Sequence, residues 1–379
     1  MKVLHVYRTY FPDSQGGLEE VIRQICLASG NYGVTSRVFT LSDEPFPHTL
    51  PRVEADVIRV RKTFEIASCG FALTGLRRFA REVEWADIIH YHYPWPFSDL
   101  MYLVAGKRRP AILTYHSDIV RQQFLLSIYR PLMRRYLDAM DMIVATSPNY
   151  FATSEVLTEY AEKVEVIPIG LDEPSYPTMH EQNGDLALAR AKYGEGFFLF
   201  VGVLRYYKGL HILLEAMVGA PYQVVIVGSG PVEAELRQQA GRLGLDNVIF
   251  AGFVSDREKM ALFRLCRAVV FPSYLRAEAF GVTLLEGAMS ARALISAEVG
   301  SGTSHVNIQG ETGLVVPPGD SRVLRQAMDE LHSHPAKARL MGANARKRYE
   351  QLFTGDRMGE RYADAYRRVL ASQSPARTA

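Results

Sequence analysis

The sequence predicts an α/β protein of two doubly wound, parallel-sheet domains facing a central cleft, and three observations lead there. Its 379 residues are too many for one ordinary hydrophobic core and suit two domains of roughly 150 to 200 residues each. Short apolar strands alternate with stretches whose apolar residues recur at helical spacing, the pattern of a parallel sheet covered on both faces. That rhythm stops once, near the middle, and then restarts.

Taken in order, "KVLHVY" (2–7) reads as a strand, followed by the Gly-containing loop "FPDSQGG" and by Leu18, Val21, Ile22, Ile25 and Cys26 at helical spacing. Further strands are expected at "SRVFTL" (36–41), "DIIHYH" (87–92), "AILTYH" (111–116), "MIVATS" (142–147) and "VEVIPIG" (164–170). From Leu171 to about Gly196 the pattern dissolves around Pro174 and Pro177, which reads as a linker. The rhythm returns at "FFLFVG" (197–202), "YQVVIVGSG" (222–230), "NVIFAG" (247–252), "AVVFPS" (268–273), "ALISAE" (293–298) and "TGLVVPP" (312–318). The last forty or so residues read as helices, with Met358, Tyr362, Tyr366 and Val369 on one face of the final one. Each strand ends where small or polar residues begin, and open α/β sheets bind their ligands at those carboxyl ends.

Composition sets limits and names no partner. A formal net charge of +2 with 22% charged residues gives no bulk attraction for nucleic acid. Cys26, Cys69 and Cys266 are odd in number and far apart, which fits buried thiols in a reducing compartment. The N-terminal apolar run is too short for a signal peptide and no window reaches spanning length, so the expected location is cytoplasmic.

Two segments carry the chemistry. In "PSYLRAEAFGVTLLEGAM" (272–289) a polar loop leaves a strand, and Val282, Leu285 and Met289 mark a helix opening near Phe280. The free N–H groups of such a first turn suit a phosphate or an oxygen-rich ligand, and Gly281 allows close approach. Glu278 could accept from sugar hydroxyls and Glu286 from a ribose diol; the ordinary alternative makes Glu278 a helix cap and Glu286 a solvated surface residue. In "GVLRYYKG" (202–209), Arg205 and Lys208 share one short loop and could clamp a pyrophosphate, although such charges are often no more than surface groups.

Together and in this order, these segments resemble family 4 glycosyltransferases, retaining nucleotide-sugar-dependent enzymes of the GT-B architecture. "PDSQGGLEEVI" (12–22), "IHYHYPWP" (89–96), "TYHSDIV" (114–120), "TSPNY" (146–150), "VIPIGLD" (166–172) and "TGLVVPPGD" (312–320) extend the likeness over essentially the whole chain, and Glu278 and Glu286 match the family's paired-glutamate signature. The resemblance implies that Glu278 contacts the donor sugar, that the backbone N–H groups of Phe280, Gly281 and Val282 meet sugar and phosphates, and that Glu286 holds the ribose. Arg205 and Lys208 would neutralise the departing diphosphate, and Gly16 and Gly17 would approach it from the first domain. His116, at the end of a strand, would hydrogen-bond the donor sugar near the reacting carbon. Many members place the arginine directly after the strand-end glycine, where this chain has Val203; Arg205 lies two residues on, a spacing that returns to the same face in extended chain. Glu19 and Glu20 stabilise the first helix but would repel an anion unless turned away.

By the same likeness the acceptor-binding domain is residues 1–172 with a returning helix at 356–379, and the nucleotide-sugar domain is residues 190–355. No metal or cofactor is expected: no D-x-D pair occurs, and basic residues take the place of the cation. His90 and His92, without an Asp, Glu or Cys at ligand spacing, are expected to pack or to shape the acceptor pocket. The stretch 300–320 looks closest to bacterial enzymes that assemble mannose- or rhamnose-containing surface polysaccharides, which suggests a GDP-linked donor before a UDP-linked one and a glycan or lipid-linked glycan acceptor. The basic, apolar stretches 57–85 and 130–137 could lie on the inner face of the cytoplasmic membrane or could be ordinary amphipathic helices. An NAD-dependent oxidoreductase is disfavoured because "VGSGPVEAE" (227–235) supplies only G-x-G, in the second domain. A GT-B sugar phosphorylase or a nucleotide-sugar epimerase should lack this pattern, and a non-catalytic nucleotide-sugar-binding paralogue should not need Glu278, Lys208 and His116 intact.

Overall fold

The computed structural model describes residues 1–66, 69–105, 108–119, 123–179 and 184–373. The chain divides into two compact units, one formed by Met1–Gly170 with the segment from Gly355 onward, the other by Leu171–Thr354. Each is a parallel-sheet α/β unit.

In the first unit, β1 (Lys2–Val6), β2 (Thr35–Ser42), β3 (Thr49–Pro51) and β4 (Asp56–Arg61) are followed by a separate hairpin of β5 (Phe64–Ile66) and β6 (Cys69–Phe71). Then come β7 (Ile88–Tyr93), β8 (Ala111–Tyr115), β9 (Met142–Ala145) and β10 (Val164–Val166). The sheet order is β10-β9-β8-β7-β1-β2-β4-β3, parallel except for the β3–β4 edge. All six residues of β7 are buried, as a strand covered on both faces requires. The helix Gly355–Gln373 returns to this unit with Met358, Tyr362, Tyr366 and Val369 buried, and two of its phenols reach the sheet, Tyr362 at Thr114 and Tyr366 at His90.

The stretch 57–85 is not a run of amphipathic helix. It begins as β4, lying between β2 and β3, and only Leu76–Trp85 is α-helical. Arg59, expected at a surface, is buried, its guanidinium donating to Asp13, to Ser42 Oγ and to the carbonyls of Phe46 and Glu44. Its partners lie up to 46 residues away in sequence, so no local pattern could reveal them. The second basic stretch does belong to an amphipathic helix, Gln123–Asp138, which buries Met133, Tyr136 and Leu137 and exposes Arg130, Arg134 and Arg135. Among the described residues, no helix is long and apolar enough to cross a membrane. Cys26 and Cys266 are buried free thiols and Cys69 is a half-buried one.

In the second unit, β11 (Phe198–Val201), β12 (Val224–Val227), β13 (Val248–Gly252), β14 (Ala268–Phe271), β15 (Ala293–Ala297) and β16 (Gly313–Val316) form a fully parallel sheet in the order β13-β12-β11-β14-β15-β16. The expected linker is partly helical: Gly184–Tyr193 buries Leu186, Ala189 and Tyr193 and packs against the helix Asp256–Leu265. Tyr193 and Lys192 both bond Glu258, at 2.8 and 3.0 Å. The helix begins after the Pro-rich residues, and its few apolar positions gain their meaning only from that neighbour. Strand order reverses at β11, between β12 and β14, so the loops that follow β11 and β14 lie side by side at the switch point.

Candidate active site

The loop after β11 is fixed to the loop after β14 by backbone. Gly209 has φ +70°, and a Cβ there would fall 2.0 Å from the carbonyl oxygen of Pro272, so this approach admits only glycine. Tyr274 N donates to Tyr207 O at 3.0 Å and continues the seam. Lys208 is thereby carried to Glu278, with Nζ 2.5 Å from Oε2, and Ser273 Oγ donates to the same oxygen at 3.0 Å. The pair is largely desolvated, the two side chains being 13% and 9% exposed, and the ammonium also lies 4.7 Å from the centroid of the Phe271 ring. A desolvated pair of this kind holds both charges only while both partners are present.

Beyond Glu278 the chain turns into the helix Val282–Met289, whose N-cap is Gly281 at φ +89°, with no side chain capping it. The uncapped end leaves the N–H groups of Phe280, Gly281 and Val282 at the entrance as donors for a ligand. The ordinary alternative for the two glutamates is excluded: Glu278 bonds a lysine and a serine instead of capping the helix, and Glu286 is buried.

Glu286 Oε1 accepts from Lys259 Nζ at 2.9 Å. Lys259 belongs to the helix Asp256–Leu265 and also meets Asp256 at 3.1 Å and the face of Tyr176. Burial works against its charge, but the carboxylates of Glu286 and Asp256 outweigh burial and hold it protonated above the ordinary lysine range. The sequence reading missed Lys259, whose only local relation is a pair with Asp256 three residues away. Arg205 is exposed on extended backbone and its guanidinium has no hydrogen-bond or ion-pair partner among the described residues, so Lys208 is the loop cation fixed at Glu278.

In the first unit, Gly16 is the N-cap of the helix Gly17–Gly30, also without a side-chain cap. Glu20 is turned along the helix to Arg23 and Gln24. Glu19 is not turned away: Ser14 Oγ donates to its Oε1 at 2.8 Å, and a Cβ placed on Gly16 would meet its Oε2 at 2.7 Å. An anion reaching Gly16 and Gly17 therefore has to displace that carboxylate.

His116 follows β8, with its backbone N bonded to Tyr93 O. Its Nε2 lies 3.0 Å from His92 Nδ1, and His92 Nε2 lies 3.1 Å from His5 Nδ1, three imidazoles stacked in file across β8, β7 and β1. Burial pushes His5 and His116 down to about 3. For His90 and His92, burial and then the neighbouring histidines lower the pKa well below the usual value. His90 and His92 are completely buried, so they pack the core and do not line an open acceptor pocket. His5, His90 and His92 bring ring nitrogens within 4.8 Å of one another, a grouping that three separate strand positions gave no hint of. Hydrogen bonds already use both nitrogens of His90, to Tyr366 and Thr114, and both of His92.

Residues 15–173 match the model of Glycosyltransferase Family 4, and residues 189–348 match that of glycosyl transferases group 1. The D-rhamnosyltransferase WbpZ of Pseudomonas aeruginosa is 53% identical over 93% of this chain and 92% of its own. This chain belongs to glycosyltransferase family 4. The O-antigen chain mannosyltransferase C of Escherichia coli is 47% identical over 99% of this chain and 100% of its own. The sucrose-phosphate synthase of Thermosynechococcus elongatus superimposes with a TM-score of 0.79 at 24% identity, covering 98% of this chain and 100% of that one. The HepE protein of Anabaena follows at 0.78 and 21%, covering 96% and 99%. Those two likenesses concern the fold, which is GT-B; the activity, glycosyl transfer, follows from family membership.

Proposed function

We propose that this glycosyltransferase moves a mannose- or rhamnose-type sugar from a GDP-linked donor to a glycan or lipid-linked glycan acceptor of O-antigen polysaccharide, with retention at the anomeric carbon. One observation carries the donor half of this reading: two buried glutamates, each paired with a lysine, flank the uncapped entrance of one helix at the switch point of the second sheet. The names of the two most similar relatives described above support the sugar and the polysaccharide.

Glu278 receives hydroxyls of the donor sugar, and Glu286, backed by Lys259, takes the ribose diol. The N–H groups of Phe280, Gly281 and Val282 face sugar and phosphates, while Arg205 and Lys208 stabilise the diphosphate as it departs, with Gly16 and Gly17 as the contribution of the first unit. Such fixed charges act where charge develops, the largest single source of rate in sites of this kind. On one face of the sugar, a bond forms from the acceptor oxygen to the anomeric carbon as the bond to the diphosphate oxygen breaks. The acceptor proton passes to that leaving oxygen, so no separate protein base and no metal ion is required. His116 hydrogen-bonds the sugar near the reacting carbon. Any contact with the inner face of the cytoplasmic membrane falls to exposed basic residues such as Arg130 and Arg135, since Arg59 is spent inside the fold.

The test is a thermal-shift titration with GDP, UDP, ADP and GDP-mannose, with Glu286→Ala and Lys208→Ala as controls. A ligand specific for the folded state adds about 2.7 kcal/mol at a hundredfold excess over Kd. Stabilisation by GDP that both substitutions abolish supports the reading. A shift with UDP alone moves the donor to UDP-sugars, and no shift with any nucleoside diphosphate overturns the donor site.

A further inference from the structure

The file of imidazoles behind His116 fixes more than its position. Each of the two N···N contacts, His116 Nε2 to His92 Nδ1 and His92 Nε2 to His5 Nδ1, needs one proton between its atoms. All three rings are buried and neutral, so they carry three protons, and both nitrogens of His92 are engaged. Only two arrangements satisfy those conditions. In one, His116 donates to His92, His92 donates to His5, and the third proton is stranded on His5 Nε2. In the other, His5 donates to His92, His92 donates to His116, and the third proton sits on His116 Nδ1.

The surroundings distinguish the two. His5 Nε2 is sealed from solvent and has no hydrogen-bond partner. A proton there would be a buried donor without an acceptor, which forfeits its full desolvation penalty, whereas an idle lone pair is the better tolerated of the two defects. At the opposite end, His116 Nδ1 makes no hydrogen bond among the described residues and is not among the sealed polar atoms.

We propose that His5 and His92 are positioning residues that lock His116 in the Nδ1–H form, so that it meets its ligand as a hydrogen-bond donor and never as a base. The inference rests on the reading of His116 as a contact to the donor sugar. It specifies that contact: His116 gives a hydrogen bond to an oxygen of the glycosyl donor, and its only lone pair, on Nε2, is occupied by His92. Proton removal from the acceptor by His116 is thereby closed off, and a neutral donor beside the anomeric centre is held ready at no cost in reorganisation. A merely structural histidine pair would have no need of a direction.

The direct test reads the ring nitrogens of isotope-labelled histidine by NMR in the full-length protein, with His116→Gln to assign the resonance. The expected wild-type result is Nδ1–H at His116, the reverse of the form that free imidazole side chains prefer. His92→Asn keeps an amide donor near the place of Nδ1, and His92→Phe fills the space without one. In His92→Phe the ring should revert to Nε2–H and kcat should fall by roughly tenfold to a hundredfold, the cost found when an outer partner that orients a functional imidazole is lost elsewhere, with donor KM changing less. His92→Asn should recover most of that loss. A wild-type ring found as Nε2–H overturns the proposal without any variant having to fold. Equal impairment of the Asn and Phe variants, with nucleoside diphosphate affinity intact in both, overturns it as well. If the ring is Nδ1–H but His116→Ala transfers sugar at the wild-type rate, the reading of His116 is what fails, and the tautomer assignment stands.

Discussion

The two units offer opposite electrostatic solutions. At the switch point of the second sheet, charge is gathered and paired, Lys208 with Glu278 and Lys259 with Glu286, in places largely withdrawn from water. In the first sheet, four histidines are buried without a counter-charge and kept neutral, three of them, His116, His92 and His5, linked through their own nitrogens. The difference teaches what each side tolerates. Paired charges can be lent to an anionic ligand, because a carboxylate and an ammonium already ionised need only be re-aimed. A file of neutral rings can hold a direction, because each proton position depends on the next.

The comparison breaks most sharply if a member of a charged pair is removed. Glu278→Gln or Lys208→Met should each lower kcat by about a hundredfold to a thousandfold and, by leaving one charge buried and alone, destabilise the fold by about 3 kcal/mol. The double variant should be more stable than the sum of the single losses predicts, and urea unfolding of all four proteins measures that coupling.

Acid tests the neutral side next. His5 and His116 have folded pKa values of about 3, below the ordinary value of 6.5, so under acid conditions the unfolded chain takes up protons that the folded chain refuses. Stability should therefore hold above pH 6.5 and fall as pH drops from there toward 3, by about 1.4 kcal/mol per pH unit for each fully buried imidazole. Asp99 acts in the opposite sense: burial raises it to about 8, against the bonds from Tyr129 and Ser98, so its contribution is lost as pH rises from about 4 to 8. Equilibrium unfolding across this range should show a shallower acid limb in His5→Asn than in the wild type; an unchanged limb would mean that the rings are protonated in place.

A smaller effect sharpens the charged side. Lys259→Met should weaken nucleoside diphosphate binding about tenfold, the worth of one charge-assisted hydrogen bond, because Glu286 loses the partner that orients it. Calorimetric titration reads this directly, and an unaltered Kd would detach Lys259 from the site. The smallest effect belongs to Arg205→Gln. With no partner to lose, its stability should stay within about 0.5 kcal/mol of wild type while the donor KM rises. A stability loss as large as that of Lys208→Met would show that Arg205 is held in place after all.

How much of this was legible varies with how local each feature is. All six strands of the second sheet stand where apolar runs marked them, and the helix after Phe280 opens at the predicted place, because strand–loop–helix segments carry their own periodicity and breakers. The linker was misread where the Gly184–Tyr193 helix draws its apolar face from a partner helix, and β4 was missed because its buried arginine reads as a surface charge.

The sequence by itself determined the fold class and the family, and it placed Glu278, the uncapped helix entrance and Glu286 on one continuous segment, whose backbone fixes their relation. Tertiary structure alone decided what those groups meet. Lys208 comes to Glu278 from 70 residues away, Lys259 to Glu286 from 27, and His5 to His92 from 87. No periodicity spans such distances, because a side chain's charge, tautomer and orientation are set by the atoms packed around it, and strand order in the sheet determines which atoms those are.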